Sequence, residues 1–231
     1  MSEVFEVDPL SPETAGPALD AAAAAVADGF LAVFPTETVY GVAARPDDPA
    51  ATAWLFEAKA RPRGLTLPVL AATPAEAVAL ADAPPEAGPL AAAFWPGPLT
   101  IVLRRGEPSR AWDLGEESST IGLRVPDLPL AAALLSRTGP LAVTSANRSG
   151  RPPATGREEL IAVFGPSVAV YLVAAGVPAH DARGGGGPST VVDLSDSPRA
   201  RLRRAGAVTR TRIDAVLSTS GLSLEWVDFP P

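Results

Sequence analysis

The 231-residue sequence contains no cysteine, one histidine, His180, and one lysine, Lys59, among 19 basic residues. Without cysteine, the chain forms no disulfide, thiolate nucleophile, iron–sulfur cluster or cysteine-bound zinc site. A single histidine excludes any centre that needs two imidazole groups, and we interpret His180, beside Asp181, as a surface loop residue. The other basic residues are arginines, so Lys59 either reflects a compositional bias or does a task that a planar guanidinium cannot do.

Long apolar runs are also lacking, since no stretch approaches the roughly 20 residues of a membrane span. The start, Met1–Asp8, has neither the basic nor the apolar region of a secretory signal, so we predict a cytoplasmic protein without membrane contact. The formal net charge of −7 argues against a protein that mainly coats nucleic acid. The arginine-rich stretch from Arg199 to Arg212 is nevertheless dense enough for one arginine to enter an anion site.

The 47% hydrophobic residues supply a core for one large or two small domains, and 26 prolines and 20 glycines divide the chain into short segments. Their alternation is typical of a compact α/β fold. The patterns predict helices over 11–28, from 48 toward 59, from 73, over 128–136 and after 155, and strands at 30–34, 67–70, 99–103, 120–125, 141–144, 168–173 and 190–194. Thr155 with Glu158 predicts a capping box, and Gly184–Gly187 predicts a flexible hairpin or lid.

Polar side chains follow several of these predicted strands, which predicts a polar cleft at the strand ends. Charges and orienting hydrogen bonds would come from Lys59, Arg61, Arg124 and Arg204, and from Thr36, Thr38, Thr120, Ser145 and Asn147. This set suits a nucleoside triphosphate. The chain has no P-loop motif, however, and the glycine run does not complete a dinucleotide-binding fingerprint because position 189 is serine.

Six ordered segments carry a family resemblance. They are Phe34–Gly41 (FPTETVYG), Lys59–Pro62 (KARP), Trp95–Thr100 (WPGPLT), Thr120–Pro126 (TIGLRVP), Thr144–Gly150 (TSANRSG) and Ser189–Asp193 (STVVD). In this order and spacing they resemble the signature blocks of the YrdC-like threonylcarbamoyl-AMP synthases. The resemblance implies an α/β fold, with a twisted open mixed sheet and flanking helices around a large, positively lined cavity.

The resemblance also implies a reaction. Such enzymes use L-threonine, bicarbonate or CO2, and ATP with Mg2+, and they form threonylcarbamoyl-AMP and pyrophosphate. The adenylate is the activated intermediate for threonylcarbamoyladenosine at position 37 of tRNA. The implied partners are these substrates, the downstream threonylcarbamoyl-transfer machinery, and a weak contact with tRNA or double-stranded RNA.

Site residues follow from the same resemblance. Two residues, Lys59 and Arg61, are implied to be catalytic. Contacts with ATP are implied for Lys59, Arg61, Thr120, Asn147, Thr155 and Arg204, and contacts with threonine for Thr38, Arg124, Ser145 and Ser189. No metal-binding residue is assigned. Two alternatives stay open, because Thr155 could serve only as a helix cap and Ser189 only as a strand-edge hydroxyl.

The sequence departs from the family pattern in the segment Arg63–Pro68 and at Leu70, where many members carry a ligand-facing histidine. The ligand contacts of Leu65, Thr66 and Leu70 are therefore left open. We predict a catalytic domain over 1–208 and a helical or irregular tail over 209–231, without the extra C-terminal domain of longer members. Two other functions stay open: an RNA-binding protein with this fold, or a carbamoyl-adenylate enzyme with a different acceptor.

Overall fold

The computed structural model of the protein describes residues 2–175 and 188–227. Within these residues, 12 strands form one sheet. The strands are β1 (Glu3–Val7), β2 (Ala32–Phe34), β3 (Gly41–Ala44), β4 (Val69–Leu70), β5 (Ala81–Asp82), β6 (Leu99–Arg105), β7 (Thr120–Arg124), β8 (Leu141–Ser145), β9 (Val170–Ala174), β10 (Thr190–Asp196), β11 (Arg199–Arg204) and β12 (Glu225–Trp226). The helices are α1 (Gly16–Ala27), α2 (Pro49–Lys59), α3 (Pro74–Ala79), α4 (Ala87–Phe94), α5 (Pro129–Thr138), α6 (Arg157–Phe164) and α7 (Arg210–Thr219), with short 3-10 turns at Pro12–Ala15, Glu107–Ser109 and Gly165–Ser167.

The sheet is open and mixed, as the resemblance implies. Its strand order is β1-β9-β2-β3-β8-β4-β7-β6-β10-β11-β12, and β5 pairs with β6. Strand pairs β1/β9, β2/β9, β4/β7, β6/β10 and β11/β12 are parallel, and the other pairs are antiparallel. Within the described residues, no helix is both long and apolar enough to cross a membrane.

Alternation along the strands separates the core into two layers. In β2, Ala32 and Phe34 belong to a cluster with α1 and α5, whereas Val33 belongs to a cluster with α2, α4 and α7. Successive side chains of a strand point to opposite faces, so one short apolar strand contributes to both layers. Both faces of the sheet are therefore covered by helices.

Local capping explains where α2 begins and ends. The Asp48 carboxylate accepts hydrogen bonds from the amides of Ala50 at 2.9 Å and Ala51 at 3.3 Å, and Pro49 occupies the first turn, as predicted. The helix ends at Ala60, which adopts a left-handed conformation with φ 49°. This sharp turn follows Lys59 directly and precedes Arg61.

Some predicted boundaries differ from the structure. The predicted capping box of Thr155 and Glu158 is wrong, because Gly156 occupies the N-cap of α6 and the Thr155 hydroxyl instead bonds Glu159 at 3.1 Å. The strand predicted at 30–34 begins at Ala32, and Phe30 is exposed. The strand predicted at 67–70 is reduced to Val69–Leu70. His180 and the glycine run at 184–187 lie outside the described residues.

The last described residues, 209–227, pack against the far end of the sheet. Helix α7 buries Ile213 and Leu217 in the same core cluster as α4, and β12 pairs in parallel with β11. The Arg212 guanidinium lies 5.3 Å from the centre of the Phe94 ring. Strand β12 therefore covers the edge of β11, the strand that carries Arg204.

Candidate active site

A cleft of about 940 Å3 lies where the polar ends of several strands meet. Strand pairing places Leu70 beside Arg124 and Gly41 beside Ser145. Nine of the predicted site residues line the cleft: Thr38, Arg61, Thr120, Arg124, Ser145, Asn147, Thr155, Ser189 and Arg204. Five arginines line it, whereas Glu117 is the one carboxylate among the described lining residues. The cleft is therefore positively lined.

Arg124 lines the cleft, is buried, and is held by three groups. Its guanidinium donates to the Gly97 carbonyl at 3.1 Å, to the Thr38 hydroxyl at 3.0 Å and to the Glu37 carboxylate at 2.5 Å. The side chains of Arg124 and Glu37 are only 8% and 7% exposed. The second carboxylate oxygen of Glu37, Oε2, is buried without a hydrogen-bond partner among the described residues. A fixed buried guanidinium beside a hydroxyl is suited to bind a carboxylate.

A directed chain of hydrogen bonds runs from Arg124 through two threonines. The Thr36 hydroxyl donates to the Val39 carbonyl at 2.6 Å, because a carbonyl can only accept. The Thr38 hydroxyl, 3.0 Å from that of Thr36, must therefore donate to Thr36 while it accepts from Arg124. The single hydroxyl proton of Thr38 is thus committed, which leaves this hydroxyl to act on a ligand mainly as an acceptor.

Ser189 and Arg204 form a second polar pair close to Arg124. Arg204 donates from Nε to the Ser189 carbonyl and from Nη2 to the Ser189 hydroxyl, both at 2.8 Å, and the same hydroxyl lies 2.9 Å from that of Thr100. Burial, followed by repulsion from Arg124, lowers the pKa of Arg204. The Ser189 hydroxyl therefore lies between a cation and a second hydroxyl inside the cleft, and its contact with threonine stays a prediction.

Arg61 braces the segment that departs from the family pattern. Its Nε donates to the Leu65 carbonyl at 2.7 Å and its Nη2 to the Thr66 carbonyl at 3.0 Å. Burial lowers the pKa of this guanidinium. Leu65, Thr66 and Leu70 all line the cleft, so the residues whose contacts the sequence left open do face the site.

Lys59 is placed differently from the other predicted site residues. It is 1% exposed, and it does not belong to the described residues that line the cleft. Its ammonium donates to the carbonyl oxygens of Ser145 and, at 2.6 Å, Asn147, and it lies 3.2 Å from Asn147 Oδ1. Burial, followed by repulsion from Arg61, lowers the pKa of Lys59 to about 7.

The loop after β8 is tied together by the Asn147 side chain. Asn147 Oδ1 accepts from the Ser145 hydroxyl at 2.5 Å, and Nδ2 donates to the carbonyls of Arg148 at 2.9 Å and Arg151 at 2.6 Å. The Ser149 amide donates to the Lys59 carbonyl at 3.0 Å. This network defines one wall of the cleft.

Two contacts were missed by reasoning from the sequence. Glu37 touches Arg124, and Thr100 touches Ser189. Both residues lie inside segments that resemble the family blocks, yet nothing local marks them as partners of residues 87 and 89 positions away. Thr120 and Thr155 line the cleft as predicted, and their contacts with ATP stay predictions.

Comparison with known proteins agrees with the predicted resemblance. A family model described as "Telomere recombination", whose name combines Sua5, YciO and YrdC, matches residues 24–205. A Mycobacterium tuberculosis protein, named provisionally as a threonylcarbamoyl-AMP synthase, is 40% identical over 225 residues, or 97% of this chain and 99% of that protein. The threonylcarbamoyl-AMP synthase of Bacillus subtilis is 34% identical over 206 residues, or 88% of this chain and 58% of its own length.

Among solved structures, Pyrococcus abyssi Sua5 complexed with L-threonine is similar with a TM-score of 0.74 and 29% identity, over 97% of this chain and 62% of that one. The chain therefore spans nearly all of the mycobacterial relative and a smaller share of the other two proteins. The predicted family resemblance and fold class are confirmed. Because the family model matches well over half of the chain, and the mycobacterial relative matches along almost its whole length, the chain belongs to the Sua5–YciO–YrdC family.

Proposed function

We propose that this protein is an L-threonylcarbamoyladenylate synthase, which makes threonylcarbamoyl-AMP and pyrophosphate from L-threonine, bicarbonate or CO2, and ATP. The supporting observation is a single cleft with a buried, pre-held guanidinium at Arg124 and further cations at Arg61 and Arg204. Its volume of about 940 Å3 is near the upper end of small-molecule sites, which suits two ligands bound together. The names of the relatives and the threonine complex of Sua5 support the same reaction. Its product serves the threonylcarbamoyladenosine modification of tRNA.

The reaction needs no protein nucleophile. The amine of threonine adds to CO2 and loses a proton to form a carbamate, and a carbamate oxygen then attacks the α-phosphorus of ATP while pyrophosphate leaves. The protein has to orient two ligands, balance the charge of the triphosphate and exclude water from a labile carbamate. A cleft lined by arginines and hydroxyl groups can do all three without cysteine or a histidine pair.

Threonine is proposed to bind at the Arg124 end. The guanidinium would take the substrate carboxylate, and hydroxyl groups at Thr38, Ser145 and Ser189 would orient the rest of the molecule. Because the proton of Thr38 is committed to Thr36, Thr38 would accept a hydrogen bond from the ligand. This arrangement favours a ligand that carries both an anionic and a hydrogen-donating group.

ATP is proposed to bind in the same cleft next to threonine, since Arg204 bonds Ser189 and Asn147 bonds Ser145. Arg61 and Arg204 would balance the phosphate charge, and Thr120, Asn147 and Thr155 would supply hydrogen bonds. Among the described residues, no cluster of three or more histidine, cysteine, aspartate or glutamate side chains could hold a metal. The donor set instead fits Mg2+ that arrives on ATP, with phosphate oxygens and water as ligands and Glu117 as the carboxylate within the cleft.

Pyrophosphate release tests the proposal directly. We expect release from ATP and Mg2+ only when L-threonine and bicarbonate are both present, and mass detection of threonylcarbamoyl-AMP. Arg61→Ala should lower the rate roughly 10²- to 10³-fold, by analogy with the loss of one transition-state donor. Arg137→Ala is the matched control, since Arg137 is a half-exposed arginine that pairs with Asp20 on helix α1.

Release without threonine, or formation of another carbamoyl-adenylate, would overturn the assignment of the acceptor. Salt-dependent RNA binding without ATP consumption would favour the RNA-binding alternative. Contacts with tRNA or double-stranded RNA, with the threonylcarbamoyl-transfer machinery, and a cytoplasmic location stay predictions. The division at residue 208 is likewise a proposal.

A further inference from the structure

The Lys59 ammonium has as many protein oxygens around it as it has N–H donors. A protonated lysine has three N–H donors, and three acceptors surround Nζ: the carbonyls of Ser145 and Asn147, and the Asn147 side-chain oxygen. The residue is 1% exposed. In its protonated form, Lys59 therefore commits all three donors to the end of β8 and the loop after it, and none is left for a phosphate oxygen.

The main chain of Lys59 binds the same loop. Its carbonyl accepts from the Ser149 amide at 3.0 Å, so both ends of this residue hold residues 145–149. The loop in turn places the Ser145 hydroxyl, Asn147 and Arg151 on the cleft wall. The left-handed Ala60 lies between the two residues, and Arg61 belongs to the described residues that line the cleft while Lys59 does not.

We propose that Lys59 is a positioning residue, whose ammonium fixes the 145–151 loop and thereby both the threonine-side and the ATP-side groups that this loop carries. It acts through Ser145 and Asn147 and does not touch the triphosphate. This inference rests on the proposed function only in the tests that measure enzyme activity.

The geometry also explains why this position holds a lysine in a chain whose other basic residues, His180 apart, are arginines. Three oxygens that converge on one small point require a compact donor with tetrahedral N–H directions. A guanidinium is planar and spreads its donors over a fork, so it suits the paired oxygens that Arg61 and Arg204 meet but not this enclosure.

Kinetics distinguish positioning from direct phosphate contact. If Lys59 holds the loop, Lys59→Met raises the KM for threonine and the KM for ATP together, each roughly 10- to 100-fold, because Ser145 and Asn147 are both released. Lys59→Arg fails to restore either value. Arg61→Met is the matched control: it lowers the rate as expected above, but of the two KM values it raises only the KM for ATP. A Lys59→Met enzyme with an unchanged KM for threonine, or rescue by Lys59→Arg, would overturn the proposal.

Hydrogen exchange provides a readout that does not need activity. In Lys59→Met, the amides of Asn147, Ser149 and Arg151 should exchange at least tenfold faster, whereas the Ala71 amide, which donates to the Arg124 carbonyl, should keep its protection. In Arg61→Met, the three loop amides should stay protected. Equal protection in Lys59→Met and wild type would contradict the proposal even if the proposed reaction were wrong.

A measurement on the unmodified protein covers the case in which Lys59→Met does not fold. Because the chain has one lysine, 15N-labelled lysine gives one side-chain ammonium signal, which is recorded below the Lys59 pKa of about 7 so that the side chain is protonated. We expect a signal with slowed hydrogen exchange that stays in place when inorganic pyrophosphate saturates the protein. A signal that moves in step with pyrophosphate saturation would show direct contact and overturn the proposal.

Discussion

The buried ion pair between Glu37 and Arg124 allows a quantitative prediction. Both side chains are less than a tenth exposed, so the change Glu37→Ala leaves a buried guanidinium without its counter-ion. Removal of one partner from a buried pair typically costs about 3–5 kcal/mol. Two features favour the lower limit. Arg124 keeps its bonds to Gly97 and Thr38, and the mutation removes the unpartnered Oε2 of Glu37, whose burial itself is unfavourable.

We therefore expect Glu37→Ala to lower the free energy of unfolding by about 3 kcal/mol, measured by urea denaturation. For a chain of this size, that corresponds to a fall in Tm of roughly 6–12 °C. Glu37→Gln keeps an oxygen that accepts from Arg124 and should cost less. In the threonine-dependent assay, Glu37→Ala should raise the KM for threonine about tenfold or more and leave the KM for ATP unchanged, because the guanidinium loses one of the three groups that fix its position.

An exposed ion pair provides the control for this prediction. Glu6 and Arg157 lie 3.1 Å apart with side chains 63% and 51% exposed, so Glu6→Ala should cost no more than about 1 kcal/mol. If Glu37→Ala were as mild as Glu6→Ala, or if it left the KM for threonine unchanged, Glu37 would not hold Arg124 and the reasoning would fail.

Three further changes test separate parts of the site. In Gly206→Ala, the new Cβ would lie 2.4 Å from the Pro188 carbonyl oxygen. We therefore expect the free energy of unfolding in urea to fall by about 1–3 kcal/mol, and the KM for threonine to rise because Ser189 is displaced. A neutral substitution would refute this. Lys59 has a folded pKa of about 7 and an unfolded pKa near 10.4, so the unfolded state binds more protons between these values. Wild-type stability should therefore rise with pH in that window by up to about 1.4 kcal/mol per pH unit relative to Lys59→Met, and parallel pH profiles would contradict it. Thr155→Ala should raise the KM for ATP several-fold at unchanged Tm if the hydroxyl binds ATP, and an unchanged KM would leave Thr155 only its bond to Glu159.

Features that depend on nearby residues were predictable from the sequence. The start of α2 follows from Asp48 and Pro49, which cap the helix within one turn, and the Thr73 cap of α3 has the same local origin. The failed capping box at Thr155 also has a local reason. Gly156 adopts the extended N-cap conformation itself, which places Thr155 one position too early. Short-range patterns could not predict the overall fold or the reaction, and both predictions came from the family resemblance.

Features that depend on distant residues were not predictable. The acceptors of Lys59 lie 86 and 88 positions away, so no spacing within its own segment shows that its ammonium is enclosed by oxygens of Ser145 and Asn147. The same holds for Glu37, whose partner Arg124 is 87 positions distant. A motif records which residues the family keeps, but it does not say whether a charged residue meets the ligand or holds the residue that does.

Three of the five arginines that line the cleft are held in place by protein oxygens. Arg61 is held by two carbonyls, Arg204 by both oxygens of Ser189, and Arg124 by a carbonyl, a hydroxyl and Glu37. These long side chains are therefore already ordered in the folded protein. In a flexible site, each ligand would have to order them on binding, which would weaken its affinity. The contact with Glu37 also weakens the positive potential of Arg124, because the carboxylate neutralises the charge of the guanidinium. Specificity for a carboxylate at this end must then come from fixed geometry more than from net charge, which is why loss of Glu37 should weaken threonine binding although it makes the cleft more positive.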